Sequence, residues 1–148
     1  MNSAVEILLV EDNPQDAELT IRALKQRTPA NHLVHVVDGQ AALDFLFGAG
    51  EFAGRDIHQL PKVVLLDLKL PKLNGIEVLR RIKTDERTRL IPIVVLTSSR
   101  EERDLIDAYQ LGVNSYIVKP VDFEKFLEVI SNMITYWMCL NELPALNV

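Results

Sequence analysis

A single cysteine, Cys139, stands among 148 residues. It cannot form an internal disulfide. The three histidines, His32, His35 and His58, lie scattered, so no Cys/His metal spacing exists. No basic cluster is present and the formal net charge is −5. That balance argues against a general nucleic-acid binder. No stretch reaches the length of a membrane span, and Met1–Val5 carries no basic region leading into a long apolar one. A cytoplasmic, reducing setting is therefore expected, with neither membrane nor nucleic acid as partner. Repeats and low-complexity tracts are absent too. What remains is ordinary globular composition, 48% hydrophobic and 25% charged. It suffices for one well-formed core, and a single domain over residues 1–148 is expected.

The stretch that organises the chain is Lys62-Val63-Val64-Leu65-Leu66-Asp67. Val63 to Leu66 reads as a strand buried on both faces, as in a parallel sheet. An acid at its C-terminal end sits where open α/β sheets place their ligands. Around it, strand and helix patterns alternate. Val5 to Val10 is a first strand ended by Glu11-Asp12. Asn13-Pro14 opens a helix to about Arg27, with Ala17, Ile21 and Leu24 at helical spacing. Thr28-Pro29-Ala30-Asn31 is a loop. Leu33 to Val37 is a second, less apolar strand, suited to a sheet edge. Asp38 caps the next helix, whose inner face is Ala41, Ala42, Phe45 and Leu46.

Gly48 to Pro61 is longer than the usual connection. Tolerated surface variation is the simpler reading; a partner-facing projection tipped by Phe52 and Ile57 is the other. Ile76, Leu79 and Ile82 mark a third helix with a charged, solvated outer face of Arg80, Arg81, Lys83, Arg87 and Arg89. Pro92 to Thr97 is a fourth strand. Glu101 to Leu111 is a polar helix with Leu105, Ile106 and Tyr109 as its apolar side, and Gly112 fits its C-terminal cap. Ser115 to Val118 is a fifth strand, followed by Lys119-Pro120. Asp122 caps a last helix running to about Leu140. Strands alternating with helices imply a doubly wound parallel sheet, with 2-1-3-4-5 as the natural order for five strands and five helices.

That topology has a chemical consequence. Parallel strands end at one rim, about 4.8 Å apart. Glu11, Asp12, Asp67 and Thr97 should cluster there, and the Lys119 stem can span the roughly two strand spacings to Asp67. Three gathered carboxylates repel one another and need a cation. Oxygen ligands without thiol or imidazole suit Mg²⁺. A cation, a lysine and a hydroxyl around an exposed carboxylate make a site for phosphoryl transfer, with Asp67 as the nucleophile of an acyl phosphate.

These residues resemble the receiver domains of two-component response regulators, which have a flavodoxin-like fold. Asp67 to Gly75, "DLKLPKLNG", is similar to that family's D-x-x-[ML]-P-x-x-[ND]-G loop. The match spans residues 5–135, with a helical extension and tail to 148. The resemblance implies that Asp67 is phosphorylated by a histidine kinase. It implies Mg²⁺ bound by Asp12, Asp67 and the backbone carbonyl of Lys69, with Glu11 acting through water. Lys119 then pairs with the phosphoryl group and is followed by a cis proline, while Thr97 and Tyr116 switch together. Glu11 departs slightly, standing where aspartate is common. A closer resemblance is to the single-domain regulators encoded beside cyanobacterial phytochromes. It implies a red/far-red photoreceptor kinase and a homodimer. The expected function is a signalling switch, not an enzyme in its own right, with Mg²⁺-dependent self-phosphorylation and slow autodephosphorylation. The fold is expected to fill the chain, leaving output to protein contact. The alternatives are a receiver-shaped adaptor that is never phosphorylated and an aspartyl-phosphate phosphatase. Lys69 stands where a phosphatase of that kind carries its second acid.

The last helix is apolar beyond the needs of one sheet face. Phe123, Phe126, Leu127, Ile130, Met133, Ile134 and Trp137 follow helical spacing, while Tyr136, Met138, Cys139 and Leu140 broaden the stripe. A helix apolar all round should be buried. The reading is a contact between subunits; the alternative is packing of Leu143-Pro144-Ala145-Leu146 back onto the helix.

Overall fold

The computed structural model describes residues 5–26 and 32–144. The 28–31 loop, and Ala145 and Leu146 of the tail, lie outside the described residues. Five strands form one parallel sheet: β1 Ile7–Val10, β2 Leu33–Val36, β3 Val63–Leu66, β4 Ile93–Thr97 and β5 Ser115–Val118. Their order is β2-β1-β3-β4-β5. The helices are α1 Pro14–Lys25, α2 Gly39–Phe47, α3 Gly75–Thr84, α4 Glu102–Gln110 and α5 Phe123–Ile134. A π-helical turn, Thr135–Leu140, continues α5.

Strand alternation divides the core between the two sheet faces. Leu8, Val10, Val64, Leu66, Ile93 and Val95 pack with α2, α3 and Ala108 of α4. Their alternates Ile7, Leu9, Val63, Leu65, Val94 and Leu96 pack with α1 and α5. Fully burying such side chains contributes about 1.5–3 kcal/mol each. The continuous apolar runs of β1, β3 and β4 follow from this, since both their faces are covered. β2 is an edge strand and, as its mixed composition foretells, is half-buried over Leu33, Val34 and His35.

The expected caps Asp38 and Asp122 form, and Asn13 and Asn74 cap α1 and α3. Asn13 Oδ1 accepts from the Gln15 and Asp16 amides, Asp38 from Ala41, Asn74 from Glu77 and Asp122 from Lys125. Gly112 follows α4 with φ 93°, the left-handed conformation that closes a helix.

Two expectations need correction, on α4 and on Lys83, and the less favoured reading of the 48–61 loop loses Phe52 as an apolar tip. Ile106 and Tyr109 of α4 point outward, 46% and 56% exposed, and the small Ala108 makes the buried contact. Phe52 does not project: its ring meets Phe45 edge-on at 5.2 Å. Arg55 seals this fold-back, with its guanidinium 3.9 Å over Phe45 and bonds to the Phe45 and Gln59 carbonyls. Lys83 is a strut, not a solvated charge. Its ammonium donates to the carbonyls of Arg89 and Ile91 and to Asn114 Oδ1, tying α3 to the entries of β4 and β5.

Candidate functional site

Register builds the site. Val10 pairs with Leu66, so Glu11 and Asp67 are the next residues on neighbouring strands. Thr97 pairs with Val118, which places Lys119 just past the end of β5. The amide of Asp67 donates to the Val10 carbonyl, and that of Lys119 to the Thr97 carbonyl. Both chains are therefore held by backbone bonds up to the functional side chain.

Glu11, Asp12 and Asp67 each present a carboxylate oxygen, all within 4.8 Å of one another. Glu11 and Asp67 are buried, and Asp12 is exposed to solvent. The buried ammonium of Lys119 lies 2.5 Å from Glu11 Oε1, 3.0 Å from Asp67 Oδ2 and 2.9 Å from Asp16 Oδ2. An ammonium has three N–H donors, and all three are taken. Glu11 is pinned further: its Oε2 accepts from the Asn13 amide, and His35 Nε2 donates to its carbonyl at 2.8 Å. Asp67 Oδ1 accepts from the Lys69 amide at 3.1 Å.

These contacts shape the charges. Burial pushes Glu11 up to about 8; its bond from Lys119 opposes the rise and Asp67 adds to it. Burial acts upward on Asp67 as well. There the bond with Glu11, the charge of Lys119 and the Lys69 amide outweigh it and hold the acid below the usual carboxylate range. Burial would lower Lys119, yet its bonds to Asp16 and Glu11 and the charge of Asp67 hold it above the ordinary lysine value. The result is an ionised acid on β3, an ammonium beside it and a proton retained preferentially on Glu11. The donor set around this point is all oxygen, which suits a hard divalent cation.

A second polar chain leads away from the rim. Thr97 is fully buried, and its hydroxyl accepts from the Ser99 amide at 3.3 Å. It does not cap α4, whose start at Glu101 has no side-chain cap. Ser99 Oγ donates to Asp104 at 2.6 Å, and Asp104 lies 3.9 Å from the Lys69 ammonium. The half-buried Tyr116 donates from its hydroxyl to the Ser99 carbonyl at 3.2 Å. Burial raises the Tyr116 hydroxyl above its ordinary pKa.

The structure thus gathers Glu11, Asp12, Asp67 and Lys119 at one point and sets Thr97 and Tyr116 on a separate chain through Ser99. Lys69 joins by its amide and its side chain. The Lys119–Pro120 peptide is trans, correcting the expected cis form. Trans is favoured at such bonds by about 0.5–1 kcal/mol, and Lys119 reaches its acids from it. Three participants escaped the sequence reading. Asp16 is hidden by its ordinary place in a helix's first turn, where acids are favoured anyway. The His35 ring meets a backbone carbonyl and Ser99 works mainly by its own amide and carbonyl, pairings that leave no mark in a side-chain pattern.

The chain matches the family model described as "Response regulator receiver domain" over residues 7–131. It is 46% identical to "Probable methanogenesis regulatory protein FilR2" of Methanothrix harundinacea, over 94% of this chain and 87% of that one. It is 39% identical to the response regulator Rcp1 of Synechocystis, over 94% and 92% of the two chains. The Mn²⁺-bound structure of Rcp1 superposes with a TM-score of 0.86. The phosphorylated cyanobacterial phytochrome response regulator RcpA superposes with a TM-score of 0.87 at 37% identity, covering 97% of this chain and all of that one. With the strand order and the convergence of its acids and lysine already established, the chain belongs to the response regulator receiver domain family.

Proposed function

We propose that the protein is a phosphorylation-dependent switch in which Asp67 takes a phosphoryl group from a histidine kinase and the signal leaves by protein contact. The observation that carries this is the buried Lys119 ammonium 3.0 Å from Asp67, inside a set of acids able to hold a cation. Mg²⁺ would fit the role: Asp12, Asp67 and the Lys69 carbonyl would hold it, and Glu11 would act through water. Bound there, it offsets charge on the phosphoryl oxygens. Lys119 pairs with the group on Asp67, and Thr97 turns from the Ser99 amide toward it, with Tyr116 following. Phosphate favours that arrangement only as far as it binds it better. An unphosphorylated adaptor has no use for an ammonium buried among three acids. The phosphatase reading is disfavoured by the exposed Lys69 two residues after Asp67.

The kinase is a phytochrome-type photoreceptor in this reading, supported by the likeness to Rcp1 and RcpA. The name of FilR2 does not point the same way, so the cognate kinase is a separate test. In this reading the receiver domain, matched over residues 7–131, works in the cytoplasm. Among the described residues no helix is long and apolar enough to cross a membrane. The homodimer contact is the far end of α5. Tyr136 and Leu140 are exposed there, beside a groove of about 880 Å³ lined by Leu90, Pro92, Ile117, Met133, Trp137 and Leu143.

The test is incubation with acetyl phosphate, with and without Mg²⁺, followed by intact mass spectrometry. One phosphoryl group gained with Mg²⁺, and none in Asp67→Asn, is the expected result. No gain by folded, Mg²⁺-binding protein, from acetyl phosphate or from a kinase, would sink the proposal. Size-exclusion chromatography of both forms then reads the dimer.

A further inference from the structure

Of the three acids on Lys119, two belong to the cluster able to hold a cation and one does not. Asp16 lies outside the Glu11, Asp12 and Asp67 group, in the first turn of α1, and is half-buried. Its own backbone is fixed at both ends: the amide donates to Asn13 Oδ1 and the carbonyl accepts from the Thr20 hydroxyl. The main chain that carries its carboxylate is therefore fixed, one methylene from the carboxylate that meets the Lys119 ammonium.

We propose that Asp16 is a positioning residue that restrains the Lys119 ammonium and, by its charge, opposes arrival of an anionic phosphoryl donor at Asp67. The inference rests on Asp67 being the acceptor. Asp16 Oδ2 and Asp67 Oδ2 share one ammonium at 2.9 and 3.0 Å, so the two oxygens lie within about 6 Å of each other. With acetyl phosphate, an Asp67 oxygen bonds to phosphorus, the bond from phosphorus to the acetyl oxygen breaks, and acetate leaves with its electron pair. No proton need move, and the acyl phosphate leaves one more negative charge on Asp67 than before. A cation at the cluster relieves the repulsion from Glu11, Asp12 and Asp67 itself. Asp16 stands outside that cluster and accepts from one of the three donors of Lys119.

The test measures phosphorylation of the full chain at saturating Mg²⁺ over a range of acetyl phosphate, for wild type, Asp16→Asn, Asp16→Glu and Asp67→Asn. Asp16→Asn retains an oxygen that can accept from Lys119 but loses the charge. A unit charge about 6 Å away in a partly wetted site predicts a rate at low donor about three- to tenfold faster. The gain should fall on the half-saturating concentration more than on the maximal rate. It should shrink between about 0.1 and about 1 M salt, as the screening length drops from about 10 to about 3 Å. Asp16→Glu should return to the wild-type values. A merely structural residue would act oppositely, slowing the variant and lowering its Tm. An Asp16→Asn protein equal to or slower than a phosphorylatable wild type overturns the restraint alone. A wild type that gains no more than Asp67→Asn overturns the acceptor assignment and the restraint with it.

Discussion

Replacing Lys119 by Met keeps most of the stem's volume and removes the cation that, among the described residues, bonds Glu11, Asp16 and Asp67. Breaking a buried ion pair from one side costs about 3–5 kcal/mol. A second route limits the figure. The fold can escape by protonating Asp67, because Glu11, at about 8, already favours its proton at neutral pH. Holding an acid of ordinary pKa about 3.9 neutral at pH 7 costs about 4 kcal/mol relative to the unfolded chain. The two routes agree on a loss of about 3–4 kcal/mol. In a chain of this size each kcal/mol moves Tm by about 2–4 °C, so a drop of about 6–16 °C is expected. The pH dependence carries the sign. In the variant, Asp67 has a folded pKa raised above its unfolded one, so its contribution is retained at low pH and lost as pH rises. At pH 5 the same protonation costs only about 1.5 kcal/mol, and the gap to wild type should narrow accordingly. Mg²⁺, by replacing the missing charge, should narrow it at neutral pH. Thermal unfolding by circular dichroism at both pH values, with and without Mg²⁺, measures all three effects. A drop below about 2 °C, or one as large at pH 5 as at pH 7, would show that Lys119 is not what holds these acids together.

Further outcomes follow from single contacts. Glu11 has a pKa of about 8 in the metal-free fold and an ordinary value when unfolded, so its contribution to stability falls as pH rises from about 4.5 toward 8. Mg²⁺ must compete with that proton. Its affinity should rise up to about tenfold per pH unit below 8 and level above, with proton release seen by calorimetry in buffers of different ionisation enthalpy; a flat profile contradicts the assignment. A Cβ at Gly75 would collide with the Asp67 carbonyl and the Leu68 Cα, both backbone. Gly75→Ala should cost about 1–3 kcal/mol in denaturant unfolding and slow phosphorylation by acetyl phosphate, and normal values for both would dismiss the contact. Phe52→Ala loses an edge-on aromatic pair, about 0.5–1.5 kcal/mol beyond the area it buries, and should leave phosphorylation unchanged. Asp38→Ala removes the cap of α2 and should cost about 1 kcal/mol in the same unfolding assay.

Much of this architecture could be read from the chain because two strong patterns coincide. Val63 to Leu66 is apolar at every position, which only a doubly covered strand allows. Parallel strands then send Glu11, Asp67 and Lys119 to one rim whatever the details of packing. The misread positions share a different physics. Ala108 takes the buried place on α4 because a small residue lets helix and sheet approach, and hydrophobic periodicity gives the weight to Ile106 and Tyr109 instead. Lys83 reads as solvated by its charge, yet its ammonium finds two carbonyls in the following loop and Asn114 Oδ1, 31 positions on. Asp16 meets Lys119 across 103 positions, and nothing in its local pattern marks that meeting.

Two glycines make the rim mechanically lopsided. Gly75 leaves no room between α3 and the backbone of Asp67, and Gly39 leaves none between α2 and the carbonyl of Leu73. Main chain rests on main chain at both places, so α2, the loop after Asp67 and α3 are welded into one block. Across Asp67, the side chains of Thr97 and Tyr116 are each tied to Ser99 by a hydrogen bond, at 3.3 and 3.2 Å. A charge arriving at Asp67 thus pushes against an anvil on one side and a latch on the other. On the proposed switch, displacement is expected to run into β4, α4 and β5, with α2 and α3 as the frame against which it is gauged.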